Sequence, residues 1–491
     1  MKKTIQNYFE ESGNTWITRE QFFKQGYVAD HLVSRERNGI EYVSTSSYSK
    51  AEELIAVKLI DKLLEPHKDF SREEVDFYID WYQMESGFIL AQDQREAVHM
   101  AMNHTISVLT GGPGTGKTCV LKAVDFISHQ MKRDKIVFCA PTGKAARRIT
   151  ESVGKPATTT QKAMNYSPNS KKLKMLVADL IINDEVSIMD METFLNFLCS
   201  VATGTHLLFV GDVDQLPSVG PGAVLRDMID SGVIPVTKLE QTFRQSNDSC
   251  IFRNIQRIKR GISNLEDADD FRFLEIQPSE AQDILIKEYL SAVKKYGRDG
   301  VICLTPYRRK GDTCSNVMNN ILQDILNPIG KRPFLRTEVI ENGETEKRKV
   351  VFQVGDPVMQ LVNRKECANG DVGKIVSVGE KGITVQYIDC SVFYPVSKLG
   401  QISLAYALSI HKSQGSEYPC VITPILPEHR EMLNRNIIYT AVTRAKKEMI
   451  ILGRKSLIPE ALAKETGYER ITFLAEEIRL EYKKRLLLKT L

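Results

Sequence analysis

The residues best placed to do chemistry lie between Thr105 and Met131. An apolar run (Ile106, Val108, Leu109) leads into Gly111-Gly112-Pro113-Gly114-Thr115-Gly116-Lys117-Thr118, and an amphipathic stretch carrying Val120, Leu121, Val124 and Ile127 follows. The loop fits G-x-x-x-x-G-K-[ST] in full, in the strand–loop–helix setting that the pattern needs. Glycines let the backbone wrap a phosphate with its N–H groups pointing inward, and the helix N-terminus adds partial positive charge. Gly112, Pro113, Gly114, Thr115 and Gly116 are therefore the expected cradle. Lys117 is expected to reach the β- and γ-phosphates of ATP, and the Thr118 hydroxyl to ligate Mg²⁺.

Two further motifs follow. Leu180-Ile181-Ile182-Asn183-Asp184-Glu185 reads as a buried strand ending in paired carboxylates, which places both at the carboxyl edge of a sheet beside the phosphate loop. Asp184 would hold Mg²⁺ through water and Glu185 would polarise the attacking water. Leu208-Phe209-Val210-Gly211-Asp212 is a second strand of this kind, and Gln215 just beyond it suits a sensor of the γ-phosphate. Arg244, in Thr242-Phe243-Arg244, and Arg444, in Ala441-Val442-Thr443-Arg444, gain interest from their order after these motifs.

The elements that must position these groups are legible in outline. At 491 residues, and with about 150 residues per domain as a guide, three or four domains are expected. Residues 1–87 read as a helical N-terminal region: Ile17 to Gly26 and Val28 to Asn38 as two short helices, Ile40 to Ser44 as a strand, the order of a small winged-helix unit. Ala51 to Leu64 reads as a helix burying Leu54, Ile55, Val57, Leu59, Ile60 and Leu63. Residues 88–250 alternate strand and helix, the texture of a parallel sheet covered on both faces. Its strands are Ile106 to Thr110, Ile136 to Ala140, Leu180 to Asp184 and Leu207 to Gly211. A second α/β region spans 251–330 and 403–491, with strands Val301 to Thr305, Cys420 to Ile425 and Met449 to Gly453. Between its halves, 331–402 shows short alternating runs split by glycine turns, which predicts a small inserted β-barrel.

Composition excludes little. The chain is 42% hydrophobic and 26% charged with a net charge of +4, which permits a polyanionic partner without arguing for one. Nine cysteines without a C-x-x-C pair argue against zinc or iron–sulfur sites and fit a reducing cytoplasm. Neither a signal peptide nor a membrane span is expected. Lys144, Arg147, Arg148, Arg308, Arg309 and Lys412 sit just past strand ends, where a nucleic-acid groove would run.

From Phe88 to Gly453 the order of motifs resembles that of superfamily 1 helicases of the RecD-like, 5′ to 3′ branch. The motifs are Gln94 in Leu90-Ala91-Gln92-Asp93-Gln94, the phosphate loop, Ala140-Pro141-Thr142-Gly143-Lys144, Asp184-Glu185, Gly211-Asp212 to Gln215, Phe243-Arg244, Thr305-Pro306-Tyr307-Arg308-Arg309, Ser409-Ile410-His411-Lys412-Ser413-Gln414-Gly415-Ser416-Glu417, and Tyr439 to Arg444. The resemblance implies that Gln94 reads adenine, Glu417 lies near the ribose, and Arg244 and Arg444 act as arginine fingers. It places Pro141, Thr142, Thr159, His411, Lys412 and Ser413 on the single-stranded DNA track, to which the basic residues past strand ends add Lys144. One departure is Thr158-Thr159-Thr160-Gln161, where such proteins commonly carry Thr-Ile-His, so a histidine contact is not expected there. The N-terminal region is also short beside the extensions of many relatives.

The expectation is thus an α/β protein of two RecA-like P-loop motor domains with an inserted SH3-like small β-barrel and a wedge hairpin at 165–174. Its expected activity is ATP- and Mg²⁺-dependent unwinding of duplex DNA by a monomeric motor moving 5′ to 3′ on single-stranded DNA, in recombination, repair or mobile-element processing. Expected partners are single strands, duplex forks and a nuclease or other DNA-processing protein. The rival is a regulatory or loading P-loop ATPase that switches protein partners without unwinding.

Overall fold

The computed structural model describes residues 4–29, 31–166, 173–241, 249–340, 347–364, 366–367, 369–388, 390–464 and 470–490. Most of the expected wedge hairpin, and the Phe243-Arg244 motif, lie outside the described residues. The chain forms two compact units. One comprises Met1–Pro141, Ala145–Arg244 and Tyr468–Leu491, and the other Thr142–Lys144 and Gln245–Gly467.

The first unit is built on a six-stranded, all-parallel sheet. Its order is Ala157–Thr159, Ile136–Ala140, Leu180–Asn183, His206–Gly211, Ile106–Gly111, Val236–Leu239. The three central strands are buried along their whole length, as apolar strands covered on both faces must be. Because every pair is parallel, the loops after Gly111, Asn183 and Gly211 leave from one edge, side by side.

The N-terminal region departs from the expected two helices and strand. Arg19–Gln25 is helical, but Leu32–Arg37 is a strand paired with Ile40–Thr45, which also pairs with Ile17–Thr18. The turn between them is Asn38-Gly39, both at positive φ (54° and 76°), the backbone that a two-residue hairpin requires. Helix Ser46–Leu63 buries Ile55, Ala56, Leu59 and Ile60, whereas Leu54, expected in that stripe, is exposed.

A second departure is the C-terminal helix Leu474–Thr490, which packs on helices Ser46–Leu63 and Val224–Ser231 of the first unit rather than completing the second. Its approach is fixed by Arg470, whose guanidinium donates to Ser218 Oγ, Gly220 O and Gly222 O (each 2.6 Å). Thr472 donates to Asp227 (2.8 Å), and Arg35 pairs with Glu477. Beneath this junction Glu52 is fully buried and accepts from Thr15 Oγ1 (2.6 Å), Trp16 Nε1 (2.9 Å) and Phe473 N (3.2 Å).

The second unit has its own parallel sheet, ordered Phe271–Glu275, Ala445–Gly453, Tyr418–Ile425, Val301–Thr305, Ala407–Ser409. Three of the five strands are those expected. Phe271–Glu275 and the three-residue Ala407–Ser409 were not, the latter because it is too short to show a period. Inserted between its halves is an antiparallel sheet ordered Ser391–Pro395, Gly382–Gln386, Val372–Gly379, Pro357–Gln360, Ile402–Leu404, with a hairpin of Phe334–Val339 and Arg348–Gln353 beside it. Asp356 joins this insertion to the core. Its buried carboxylate accepts from Gln323 Nε2 (2.5 Å), Asn327 Nδ2 (2.7 Å), Gln353 N (2.7 Å) and Tyr406 OH (2.9 Å).

Candidate active site

Strand Ile106–Gly111 ends inside the sheet, and helix Lys117–Gln130 begins six residues later. The turn between them needs its glycines. Gly114 (φ 78°) and Gly116 (φ 84°) are left-handed, and a Cβ on Gly111 would lie 2.7 Å from Thr115 Oγ1. Thr115 Oγ1 donates to Gly112 O (2.9 Å), and Lys117 Nζ donates to the carbonyls of Gly111 and Gly112 (3.0 Å to the latter). The lysine is thus folded over its own loop. The residues present fit a triphosphate: a glycine cradle, a helix N-terminus and one cation at its centre.

Gln94 is buried against this loop, its Nε2 donating to Thr115 O (3.1 Å) and its Oε1 accepting from Ala91 N (3.0 Å). The side chain expected to read adenine is therefore fixed in orientation by the cradle itself.

Asp184 follows its strand directly, with its N–H on Cys139 O (2.9 Å) and its Oδ1 accepting from Glu185 N (2.8 Å). Burial, and then the neighbouring Glu185, push its carboxyl up to about 6, while Lys117 and Arg148 pull it down. Lys117 and Asp184, distant in sequence, thus share one electrostatic environment. Glu185 has φ 55°, a left-handed backbone that a non-glycine residue adopts at a cost of about 1–3 kcal/mol and that clusters at functional sites. Sequence reading gave no sign of this strain, nor of Arg148 as the second cation near Asp184.

Gln215 is buried, donating from Nε2 to Asp212 Oδ2 (3.2 Å), and Asp212 Oδ1 accepts from Asp214 N (3.1 Å). Asp212 is the group sequence reasoning left without a role; it holds the expected sensor amide. A Cβ on Gly211 would lie 2.6 Å from Leu225 Cδ2 and 3.2 Å from Ser187 N, so a larger residue would press on the turn that follows Asp184–Glu185.

Of the residues expected on the DNA track, in the first unit Pro141 closes the second strand, and Thr159 caps helix Thr160–Ala163, its Oγ1 accepting from Lys162 N (3.2 Å). In the second unit Lys144 donates to Ser416 Oγ (2.9 Å), and Thr142 lies beside it in sequence. The turn Ile410–Ser413 follows strand Ala407–Ser409. Burial depresses the His411 and Lys412 pKa values, with Arg308 adding to the effect at Lys412, whose Nζ donates to Asn369 Oδ1 (3.4 Å). Ser413 is fully buried with its hydroxyl on Ile410 O (2.7 Å), so it shapes the turn rather than presenting a side chain. Glu417 pairs with Lys446 (3.2 Å). The Arg444 guanidinium is buried, donating to Thr440 O (3.2 Å), Ser416 O (3.1 Å) and Thr443 Oγ1 (3.1 Å). Arg244 lies outside the described residues.

A parallel sheet that brings a glycine-rich phosphate loop, the Asp184–Glu185 pair and Gln215 to adjacent strand ends has the architecture of a P-loop α/β domain. Residues 94–221 match the family model described as an AAA domain, and 404–452 that of a UvrD-like helicase C-terminal domain. The chain is 32% identical over 395 residues to the ATP-dependent RecD2 DNA helicase of Deinococcus radiodurans, covering 79% of this chain and 52% of that one. It is 26% identical over 435 residues to the RecBCD enzyme subunit RecD of Mycolicibacterium smegmatis, covering 79% and 75%. The chain thus spans about half the length of the Deinococcus relative. Among solved structures, a Pif1 helicase from Bacteroides in complex with ADP-AlF3 and single-stranded DNA is similar at 17% identity and TM-score 0.47, covering 81% of this chain and 98% of that one. The chain is thus similar, over most of its length, to RecD-like helicases of superfamily 1.

Proposed function

We propose that this chain is an ATP-dependent DNA helicase that moves 5′ to 3′ on single-stranded DNA and unwinds duplex DNA. The observation that carries the reading is the convergence of Lys117, Asp184–Glu185 and Gln215 on three adjacent, parallel strand ends of one sheet. Bound Mg·ATP supplies a phosphoanhydride whose cleavage drives movement, with the metal offsetting phosphate charge. Thr118 and Asp184 would hold the metal, and the 112–118 loop the phosphates. Lys117 would trade its carbonyl acceptors for phosphate oxygens. Glu185, braced by its left-handed backbone, would take a proton from the attacking water, and Gln215 would signal the γ-phosphate through Asp212. Arg244 and Arg444 are the proposed fingers and Glu417 the ribose contact.

In this reading the two units are RecA-like motor domains, the inserted antiparallel sheet is an SH3-like barrel, and the N-terminal helices and three-stranded sheet form a winged-helix-like unit. Pro141, Thr142, Lys144, Thr159, His411 and Lys412 line the DNA track, with Ser413 supporting it from below. The protein works in the cytoplasm as a monomeric motor in recombination, repair or mobile-element processing, beside a nuclease or other DNA-processing protein. No helix among the described residues is long and apolar enough to cross a membrane. Strand displacement on 5′-tailed, 3′-tailed and blunt duplexes tests the proposal. Unwinding confined to 5′-tailed duplexes is expected. ATPase stimulated by a protein but not by single-stranded DNA would instead mark a switch.

A further inference from the structure

Helix Arg72–Ser86 buries one face through Val75, Ile79 and Tyr82. A surface helix of this kind ordinarily turns polar residues to water on the other side. Here the opposite side carries Phe77, Trp81 and Met84, spaced four and three residues apart as the seam of a coiled coil is spaced. Phe77 is 64% exposed and Met84 78%. Phe88 (55%) and Ile89 (86%), just past the Gly87 cap, continue the apolar run. Phe77 and Met84 thus stay largely exposed, with the half-buried Trp81 between them.

The stripe is braced as an anchor. Trp81 stacks on Tyr78 (centroids 6.3 Å apart, 23° between planes) and meets Phe126 edge-on at 5.8 Å. An aromatic ring held in one rotamer before binding loses little entropy on contact, and tryptophan is the residue most enriched at energetic centres of interfaces.

Charge specifies the occupant. The helix carries Glu73, Glu74, Asp76, Asp80 and Glu85 against one arginine, Arg72. At about 100° per residue, Glu73 and Asp80 flank the stripe on one side, and Glu74 and Glu85 on the other. Asp76 and Asp80 are bound by Arg95 (2.7 and 2.9 Å), and Arg72 pairs with Glu96. Glu73, Glu74 and Glu85 form no ion pair among the described residues. We propose that this face is a docking strip for a partner protein's amphipathic helix whose apolar seam is flanked by lysine or arginine. A second copy of the same helix would set acid against acid and is disfavoured.

The test uses the full chain and two synthetic helical peptides of identical leucine seam, one with lysine flanks and one with glutamate flanks. Of the two tryptophans, Trp16 is fully buried, so a shift in fluorescence on titration reports Trp81. Saturable binding of the lysine peptide is expected, at least ~10-fold tighter than that of the glutamate peptide, and weakened by about as much in a Phe77→Ser/Met84→Ser variant with unchanged circular dichroism. Equal binding of the two peptides, or unaltered binding by the variant, overturns the proposal. So does concentration-dependent dimerisation in sedimentation velocity that the double substitution abolishes, because a second copy would then be the occupant.

Discussion

Glu52 offers a direct measure of how the C-terminal helix is latched to the N-terminal region. Burial raises its carboxyl from the ordinary 4.5 to about 7, against the opposing pull of the Thr15, Trp16 and Phe473 donors and of Arg35. Between those two pH values the folded chain keeps a proton that the unfolded chain has released. Stability therefore falls as pH rises through the window, and the full loss is in place above pH 7. A shift of roughly 2.5 units corresponds to about 3 kcal/mol. His206, held neutral by burial with its pKa lowered to about 4, acts in the opposite direction over an overlapping range, so the raw pH profile of the wild type is uninformative. The difference between wild type and Glu52→Gln isolates the carboxyl. The amide cannot ionise, but its NH₂ would face either Trp16 Nε1–H or the Thr15 and Phe473 donors, at a cost of about 1–3 kcal/mol. Glu52→Gln should therefore be less stable than wild type near pH 4.5 and close to it, or slightly more stable, at pH 8. Urea unfolding followed by Trp16 fluorescence in a Trp81→Phe background reads this junction locally. A stability difference that stays flat between pH 4.5 and 8 would refute the argument.

Three further outcomes concern the motor. Lys117→Ala and Glu185→Gln should each lower ATPase turnover by at least ~10²-fold, with Glu185→Gln still binding a fluorescent ATP analogue; near-wild-type turnover in Glu185→Gln would remove it as the base. Arg444→Ala should lower turnover by ~10³-fold, and because three acceptors lose their donor the melting temperature should fall too. Should thermal stability drop while turnover per folded molecule holds, Arg444 is structural. Lys412→Ala should weaken single-stranded DNA binding regardless of sequence and reduce the slope of log affinity against log salt by ~1, measured by anisotropy.

Much of the site was legible because its parts are local. A phosphate loop is eight consecutive residues, and an apolar run ending in Asp-Glu names its own strand end. The seven parallel strands expected across the two sheets are all present, because fully buried strands leave uninterrupted apolar runs. What escaped depends on contacts distant in sequence or on backbone conformation. Leu32–Arg37 alternates weakly, its less exposed face carries Arg35 and Arg37 while Leu32 points outward, and only the Asn38-Gly39 turn marks it as half of a hairpin. The C-terminal helix gave no clue that Arg470 would anchor it on Ser218 to Gly222, some 250 positions earlier. Ser413 sits in a motif that suggests exposure, yet its hydroxyl is consumed one turn back. The left-handed Glu185 could not be inferred from residue type, because nothing in a glutamate announces a positive φ.

The four donors on Asp356 bear on how the inserted sheet can be exchanged. Two come from helix Ser315–Leu326 and the residue just beyond it, one from the insertion's own backbone, and one from Tyr406 beyond its far end. A chimera cut at the sheet's edges would leave either a buried carboxylate without its amides or two amides without their acceptor, and each such orphan costs about 1–3 kcal/mol. Gln323, Asn327, Asp356 and Tyr406 therefore form one transplantable unit, and the natural splice points lie upstream of Ser315 and downstream of Tyr406.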